Sequence, residues 1–425
     1  MPTATPADYR DLRINVERFS ADFSELATIG VTPEGGVRRL ALSPDDLLAR
    51  GWFADRIEAA GLTLVDDNAC NLGGVLRSSV TGARTLLCGS HLDSVPNGGH
   101  YDGVIGVLAA LECLRVIREN AIALPVHLEA ISFTDDEGCW RSLFGSRAIA
   151  GMLTEDDIAD ERVDNGPFRA ALARAGIMDP RDVFSAERSS STLAGYVELH
   201  IEQGERLERS NTQIGVVTGI VGRTTYRITF YGQAAHSGTT EMYRRKDALR
   251  GAAQFIVRAH DAVRARYGDG VFNCGDIDVK PGQFNIIPSE AELIVECRHV
   301  NAQLMTEMEM MIVQIARECA ATNGLDLDYD RIAHMPAAQM NDRLMETVEA
   351  VCQDMGVSHM RLVSYSGHDA QIMSRVTPST MIFVPSRAGI SHSPDEFTEW
   401  DDVVRGANVL LQTILTLALN PALDI

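Results

Sequence analysis

At 425 residues the chain is longer than one hydrophobic core usually grows, so two domains are expected. Apolar residues make up 45% and charged residues 23%, which excludes a disordered or fibrous chain. Against 38 basic side chains stand 59 acidic ones, and the resulting charge of -21 repels phosphate backbones and anionic lipid surfaces, arguing against nucleic-acid and membrane partners.

In chain order, a β-rich run over 84–88 leads into an apolar-periodic helix over 104–117, and further strands are expected over 126–134 and 196–200. The pattern then changes. A strand over 224–231 is followed by Asp247, placed to cap a helix with Leu249, Ala252, Ile256 and Val263 on one face. Strand runs over 272–279 and 291–298 come next. A second helix carries Leu304, Met308, Met311 and Ile315 on one stripe, which we assign to packing, and 325–329 reads as a closing strand. This β-α-β-β-α-β order is that of a split βαβ module. A strand over 380–384 and a helix over 401–418 complete the chain. The expected fold is therefore a mainly parallel α/β domain, residues 1–218 and 334–425, interrupted by an inserted α+β domain, residues 219–333.

The eight cysteines are scattered singly, without a C-x-x-C pair, as suits a reducing compartment. The first dozen residues are charged, and no run of about 18 apolar residues occurs, so the chain reads as cytoplasmic. Its acidic field also means that an anionic small molecule would need a local cationic site, which directs attention to arginines.

Five segments carry metal-binding side chains: His91 in GSHLDS, Asp102 in GGHYDG, Glu137 in TDDEG, His200 in ELHIEQG and His392 in GISHSPDE. Each falls at or just after an expected strand end, the edge at which open α/β sheets bind ligands. Imidazole and carboxylate together suit two divalent ions such as Zn, Mn, Co or Ni, and a two-metal site needs a bridging carboxylate, for which Asp102 is the choice. Singly, each residue also has a structural reading: a lone histidine at a strand end is a hydrogen-bonding group, and Asp102 before Gly103 is a helix cap. Their conjunction carries the metal reading.

The flanking patterns are more specific. GSHLDSVPNGGHYDGVIGVLAALE, FTDDEG with LFGSRAIAG, ELHIEQG, GQAAHSGTT with RRKDAL, FNIIPSEAELIVECRH, SGHDAQIM and FVPSRAGISHSPDE resemble the hydantoinase/carbamoylase-type amidases. This branch of the M20 metallopeptidase clan includes N-carbamoyl-L-amino acid amidohydrolases, β-ureidopropionases and allantoate amidohydrolases. The resemblance runs from GVRRLALSPDD to the last helix.

It implies a dinuclear metallohydrolase domain with an inserted lid that also forms a homodimer. By motif position, His91, Asp102 and His200 hold one ion, and Glu137 and His392 complete the other with Asp102 shared. Asp136 matches the general base. Substrate binding falls to Gln203, His236, Asn285 and Arg298, with His236 supplied by the partner subunit and Gly367 and His368 lining the pocket. The chemistry agrees: Arg298 suits a carboxylate, Asn285 is an amide donor, and His236 donates to a developing oxyanion. On the residues alone, Arg298 as an ion-pair partner and Asn285 as a turn former stay open.

Three positions depart from the family pattern. Asp136 replaces the first of two consecutive glutamates, the segment 139–143 looks shorter and lacks the usual G-x-R-F continuation, and Glu241 stands where a proline is common. The expected reaction is hydrolysis of an N-carbamoyl-L-amino acid to the amino acid, carbon dioxide and ammonia, with VPNGG resembling L-carbamoylases more than allantoate hydrolases. Allantoate, N-carbamoyl-β-alanine or an N-acyl amino acid are the alternative substrates. A non-catalytic metal-binding protein is the alternative of a different class.

Overall fold

The computed structural model describes residues 5–159 and 164–419, and the chain divides into two compact units. One runs to Thr218 and resumes at Met340; the other is Gly219–Gln339.

After helices over Val16–Leu26 and Pro44–Ala59, the first unit has strands β1 (Thr63–Asp66), β2 (Leu72–Leu76) and β3 (Thr85–His91), continues through helix α1 (Val104–Glu119), and adds β4 (His127–Phe133), β5 (Leu193–Ile201) and β6 (Ile214–Ile220). The inserted unit supplies β7 (Gly222–Tyr231), β8 (Ala235–His236), α2 (Ala248–Arg266), β9 (Val271–Lys280), β10 (Ile286–Ile287), β11 (Glu290–His299), α3 (Ala302–Asn323), β12 (Asp326–Met335) and β13 (Ala338–Gln339). The chain then returns to the first unit with β14 (His359–Ser364), β15 (Ser379–Val384) and α4 (Trp400–Leu419).

The large sheet runs β1-β2-β4-β3-β5-β15-β6. Its four central strands, β4, β3, β5 and β15, are parallel, whereas β1, β2 and β6 pair antiparallel at the margins. The sheet is thus mixed, with the expected parallel part at its centre. Every residue of β5 and β15 is buried, as near-continuous apolar runs in a sheet covered on both faces require. Helix α4 is apolar and long enough to cross a membrane, but most of it is buried inside the protein, as a core helix.

The second unit is a four-stranded antiparallel sheet of order β12-β7-β11-β9. Along β11, partly and fully buried residues alternate without a break, and the buried set packs under α2 and α3. The Asp247 carboxylate caps α2 by accepting the Arg250 N–H, and Gly324, at φ 64°, ends α3 in the left-handed conformation. On α3 the buried face is turned slightly from the expected stripe: Met308 and Ile315 are in the core with Met305, Ile312 and Cys319, while Leu304 and Met311 are only partly covered. The unit also extends past the expected boundary at 333. A register shift between Arg331 and Ala333 lets β12 continue to Met335, and Ala338 and Gln339 then pair with Ile220 and Gly219, closing the two ends of the insertion on each other.

Candidate metal centre

The register of the parallel strands brings chemistry to one edge. His91 ends β3 opposite Phe133 at the end of β4, and His200 lies opposite Phe383 near the end of β15. Asp136 and Glu137 follow β4 directly. Asp102 precedes α1, and Gly103 between them is obligatory twice over: its φ is 67°, and a Cβ there would sit 2.5 Å from the His91 ring.

Asp102 is the centre of the arrangement. Its Oδ1 lies 2.9 Å from His200 Nε2 and 3.4 Å from His91 Nε2, while its Oδ2 lies 3.4 Å from His392 Nε2. His392 Nε2 is in turn 3.4 Å from Glu137 Oε2. Two ligand-competent groups therefore share one carboxylate: His91, Asp102 and His200 on one side, and Asp102, Glu137 and His392 on the other. The ring tautomers fit that use. His91 Nδ1 donates to the Asp93 carbonyl at 3.0 Å and His200 Nδ1 to the Ile201 carbonyl at 2.9 Å, which turns both Nε2 lone pairs to the Asp102 side, where His200 Nε2 also accepts the Gly103 N–H at 3.2 Å. Glu198, His200 and His368 make a third ligand-competent group, but there the Glu198 carboxylate already accepts Ser90 Oγ at 2.7 Å and the Ala370 N–H at 3.0 Å.

The electrostatics are those of a site short of positive charge. Asp93, Asp102, Asp135, Asp136, Glu198 and Asp369 are all buried, and among the described residues no lysine or arginine ion-pairs with any of them. Burial pushes the Asp136 carboxyl well above its usual range, with the charges of Asp369 and Glu137 adding to it. Glu137 is raised to about 7 by burial and the Asp102 charge. For Asp102 burial acts upward, but with its neighbouring rings protonated the His200 charge and the hydrogen bonds to His200, His392 and His91 hold it well below the usual carboxylate range. The hydrogen bond to Asp102 lifts His392 to about 9. Asp93 Oδ1 and Asp136 Oδ1 are buried without a hydrogen-bond partner. Buried anions in this number need cations to balance them, and the nitrogen and oxygen donors present suit divalent transition ions.

Asp136 Oδ2 stands 3.5 Å from His91 Nε2, on the ligand side of the ring. The segment after Glu137 folds back on Asp135, whose Oδ2 accepts the Trp140 and Arg141 N–H groups at 3.0 and 2.6 Å. Gln203, at φ 56°, donates from Nε2 to Asp102 Oδ2 at 2.7 Å, so it belongs to the cluster. Gly367 is exposed. His368, only 2% exposed, packs edge-on against the His200 ring at 4.5 Å, with its Nε2 2.9 Å from Ser364 Oγ.

The three remaining candidates lie in the second unit. His236 and Asn285 are both exposed and are brought together by the β8–β10 pairing, with the Ser237 N–H donating to the Asn285 carbonyl at 3.1 Å. Arg298 lies in β11 of the four-stranded sheet, opposite Arg223 near the start of β7, so roughly 27 Å of strand separates it from the end of β7 that leads to His236. Its Nε donates to Glu296 Oε1 at 2.6 Å, the carboxylate partnership left open by the sequence.

Two supporting residues escaped sequence reasoning although both sit inside the quoted segments. Asp93, two residues after His91, accepts the Glu137 N–H at 3.3 Å. Glu396 of SHSPDE accepts the Tyr101 and Asp102 N–H groups at 3.0 and 3.1 Å and the Ser391 hydroxyl at 2.8 Å, fixing the loop that presents Asp102.

A model of the peptidase family M20/M25/M40 matches residues 87–416. The chain is 35% identical over 407 residues to an N-carbamoyl-L-amino acid amidohydrolase of Geobacillus stearothermophilus, covering 95% of this chain and 99% of that one. It is 31% identical to an allantoate amidohydrolase of Bacillus subtilis (strain 168), covering 96% and 99%. Among solved structures, an amidase of the hydantoinase/carbamoylase family from Burkholderia multivorans superposes with a TM-score of 0.87 at 32% identity, over 97% of this chain and 100% of that one.

Proposed function

Because the chain belongs to the M20/M25/M40 peptidase family, in its hydantoinase/carbamoylase amidase branch, we propose that it hydrolyses the ureido C–N bond of an N-carbamoyl-L-amino acid, giving the amino acid, carbon dioxide and ammonia. It is a hydrolase of linear amides, and the observation that carries a two-ion chemistry for it is Asp102, whose two oxygens face separate histidine partners.

His91, Asp102 and His200 would hold one divalent ion, and Asp102, Glu137 and His392 the other. Bound there, the ions supply Lewis acidity toward water and the substrate carbonyl. Asp136 takes the proton of the attacking water and returns it to the leaving nitrogen, a role supported by its buried place on the ligand side of the His91 ring. Gln203 orients Asp102 through its amide. In the lid, Arg298 binds the substrate carboxylate; His236, supplied by the partner subunit, donates to the carbonyl oxygen as negative charge builds there, and Asn285, held beside His236 by the β8–β10 pairing, enters with it as an amide donor. The enzyme acts as a homodimer in the cytoplasm, where its eight free cysteines stay reduced.

The test is ammonia release from N-carbamoyl-L- and N-carbamoyl-D-amino acids, N-carbamoyl-β-alanine and allantoate, with amino acid release from an N-acetyl amino acid. Fastest turnover is expected on an N-carbamoyl-L-amino acid. Turnover confined to allantoate assigns the chain to the ureide branch instead, and none on any of them contradicts the assignment.

A further inference from the structure

The loop that carries His236 is held in a way that fixes the chemistry of the ring. His236 Nδ1 accepts two backbone hydrogen bonds, from the Gly238 N–H at 3.0 Å and the Thr239 N–H at 3.2 Å. A nitrogen that accepts cannot carry the proton, so in this arrangement the ring hydrogen is on Nε2. Gly238 permits this close turn, since a Cβ there would lie 3.3 Å from the ring carbon Cε1.

Two N–H groups converge on one ring nitrogen only while the loop keeps its shape, and the side chain that keeps it is Arg245. Its Nε donates to the Thr240 carbonyl at 3.1 Å and its terminal nitrogen donates to the Ser237 carbonyl. These carbonyls flank Gly238 and Thr239, so one planar guanidinium spans the segment whose amides face the ring. The Thr240 N–H donates back to the His236 carbonyl at 3.1 Å, closing the loop on itself. No carboxylate ion-pairs with Arg245 among the described residues, so its hydrogen-bonding capacity goes to this loop.

We infer that Arg245 is a positioning residue that holds the His236 loop so that Nδ1 accepts from the backbone and Nε2 is the ring's donor. The inference rests on the proposed role of His236 as donor to the substrate carbonyl oxygen. The lock itself is a property of the free enzyme and is measured separately.

Two measurements test it. In the full-length enzyme labelled at histidine with 15N, the His236 side chain, identified by its loss in His236→Ala, is expected at pH 7.5 as the Nε2–H tautomer alone; in Arg245→Met it averages between tautomers. A wild-type ring protonated on Nδ1, or an Arg245→Met ring indistinguishable from wild type, overturns the lock. The second is a double-mutant cycle with the metal-supplemented enzyme. Arg245→Met is expected to lower kcat by about 10- to 100-fold alone, as small misplacements of a reacting group do, but less than about 2-fold in the His236→Ala background. Arg245→Lys, which offers one point donor in place of a fork, falls between wild type and Arg245→Met. Equal losses in both backgrounds show that Arg245 acts on stability and overturn the inference. If the tautomer is as expected but His236→Ala turns over like wild type, the lock stands and the role of His236 given under the proposed function is the part that fails.

Discussion

The carboxylate–histidine cluster of the α/β unit and the His236 loop of the inserted unit use similar side chains under opposite conditions. In the cluster, His91 and His200 are each 1% exposed, and their Nε2 atoms meet oxygens of Asp102, with which no lysine or arginine ion-pairs among the described residues; the Gly103 N–H adds one backbone contact to His200 Nε2 at 3.2 Å. In the loop, His236 is exposed and its one accepting nitrogen is already satisfied by backbone N–H groups. Arg298 is likewise provided for by Glu296. Where water is excluded, unbalanced charge identifies a ligand site from the free protein alone. Where water is present, polar groups are satisfied locally, and on the proposed function a substrate would have to displace those partners.

The comparison predicts that the buried set fails abruptly and the set in the inserted unit by degrees. Asp102→Ala removes the only carboxylate common to both groups, so we expect turnover to be lost together with bound metal, read by elemental analysis. An Asp102→Ala enzyme that keeps full metal and activity breaks the comparison at once.

Asp136→Asn keeps the shape and removes the basic lone pair, and kcat should fall by about 10²- to 10⁴-fold with metal content unchanged. Asp136→Glu retains the carboxylate and should keep more activity than the asparagine variant. Wild-type kcat in Asp136→Asn would place the base elsewhere.

In the inserted unit, truncating the half-buried Arg298 in Arg298→Ala should raise KM for carboxylated substrates by about 30-fold, since losing a charged partner that becomes desolvated costs about 2 kcal/mol or more. Arg298→Lys recovers only part of this. If KM is unchanged in the alanine variant, the Glu296 partnership is the whole role of Arg298.

Glu396→Gln sharpens the boundary between ligand and support. It touches Asp102 only through backbone N–H groups and Ser391, so metal affinity should weaken by about 10-fold, far less than for Asp102→Ala. A loss as complete as that of Asp102→Ala would promote Glu396 to a ligand.

Much of the fold was legible because strands β3, β4, β5 and β15 are buried on both faces and read as apolar runs ending in chemistry-bearing motifs. The antiparallel margins were not, since β1 is four residues long and strand direction is set by distant partners. The boundary at 333 fell short because the β12 irregularity and the Ala338–Ile220 pairing depend on residues far apart in sequence. On α3 an expected stripe differed from the buried face by about one position, within the breadth of a helical face. Within the site, residues acting through ring nitrogens and carboxylates stand out by type. Asp93 and Glu396 act mainly by accepting backbone N–H groups, and nothing in their identity distinguishes that from surface acids. Whether His368 faces solvent or lies under His200 is a matter of packing that the SGHDA motif does not encode.

The most direct test of metal-dependent ureido hydrolysis is ammonia release from an N-carbamoyl-L-amino acid before chelation, after chelation, and after adding back Zn, Mn, Co or Ni. The account predicts loss of turnover in enzyme shown by elemental analysis to be metal-free, and its recovery with at least one of these ions. Undiminished turnover by the metal-free enzyme would contradict it.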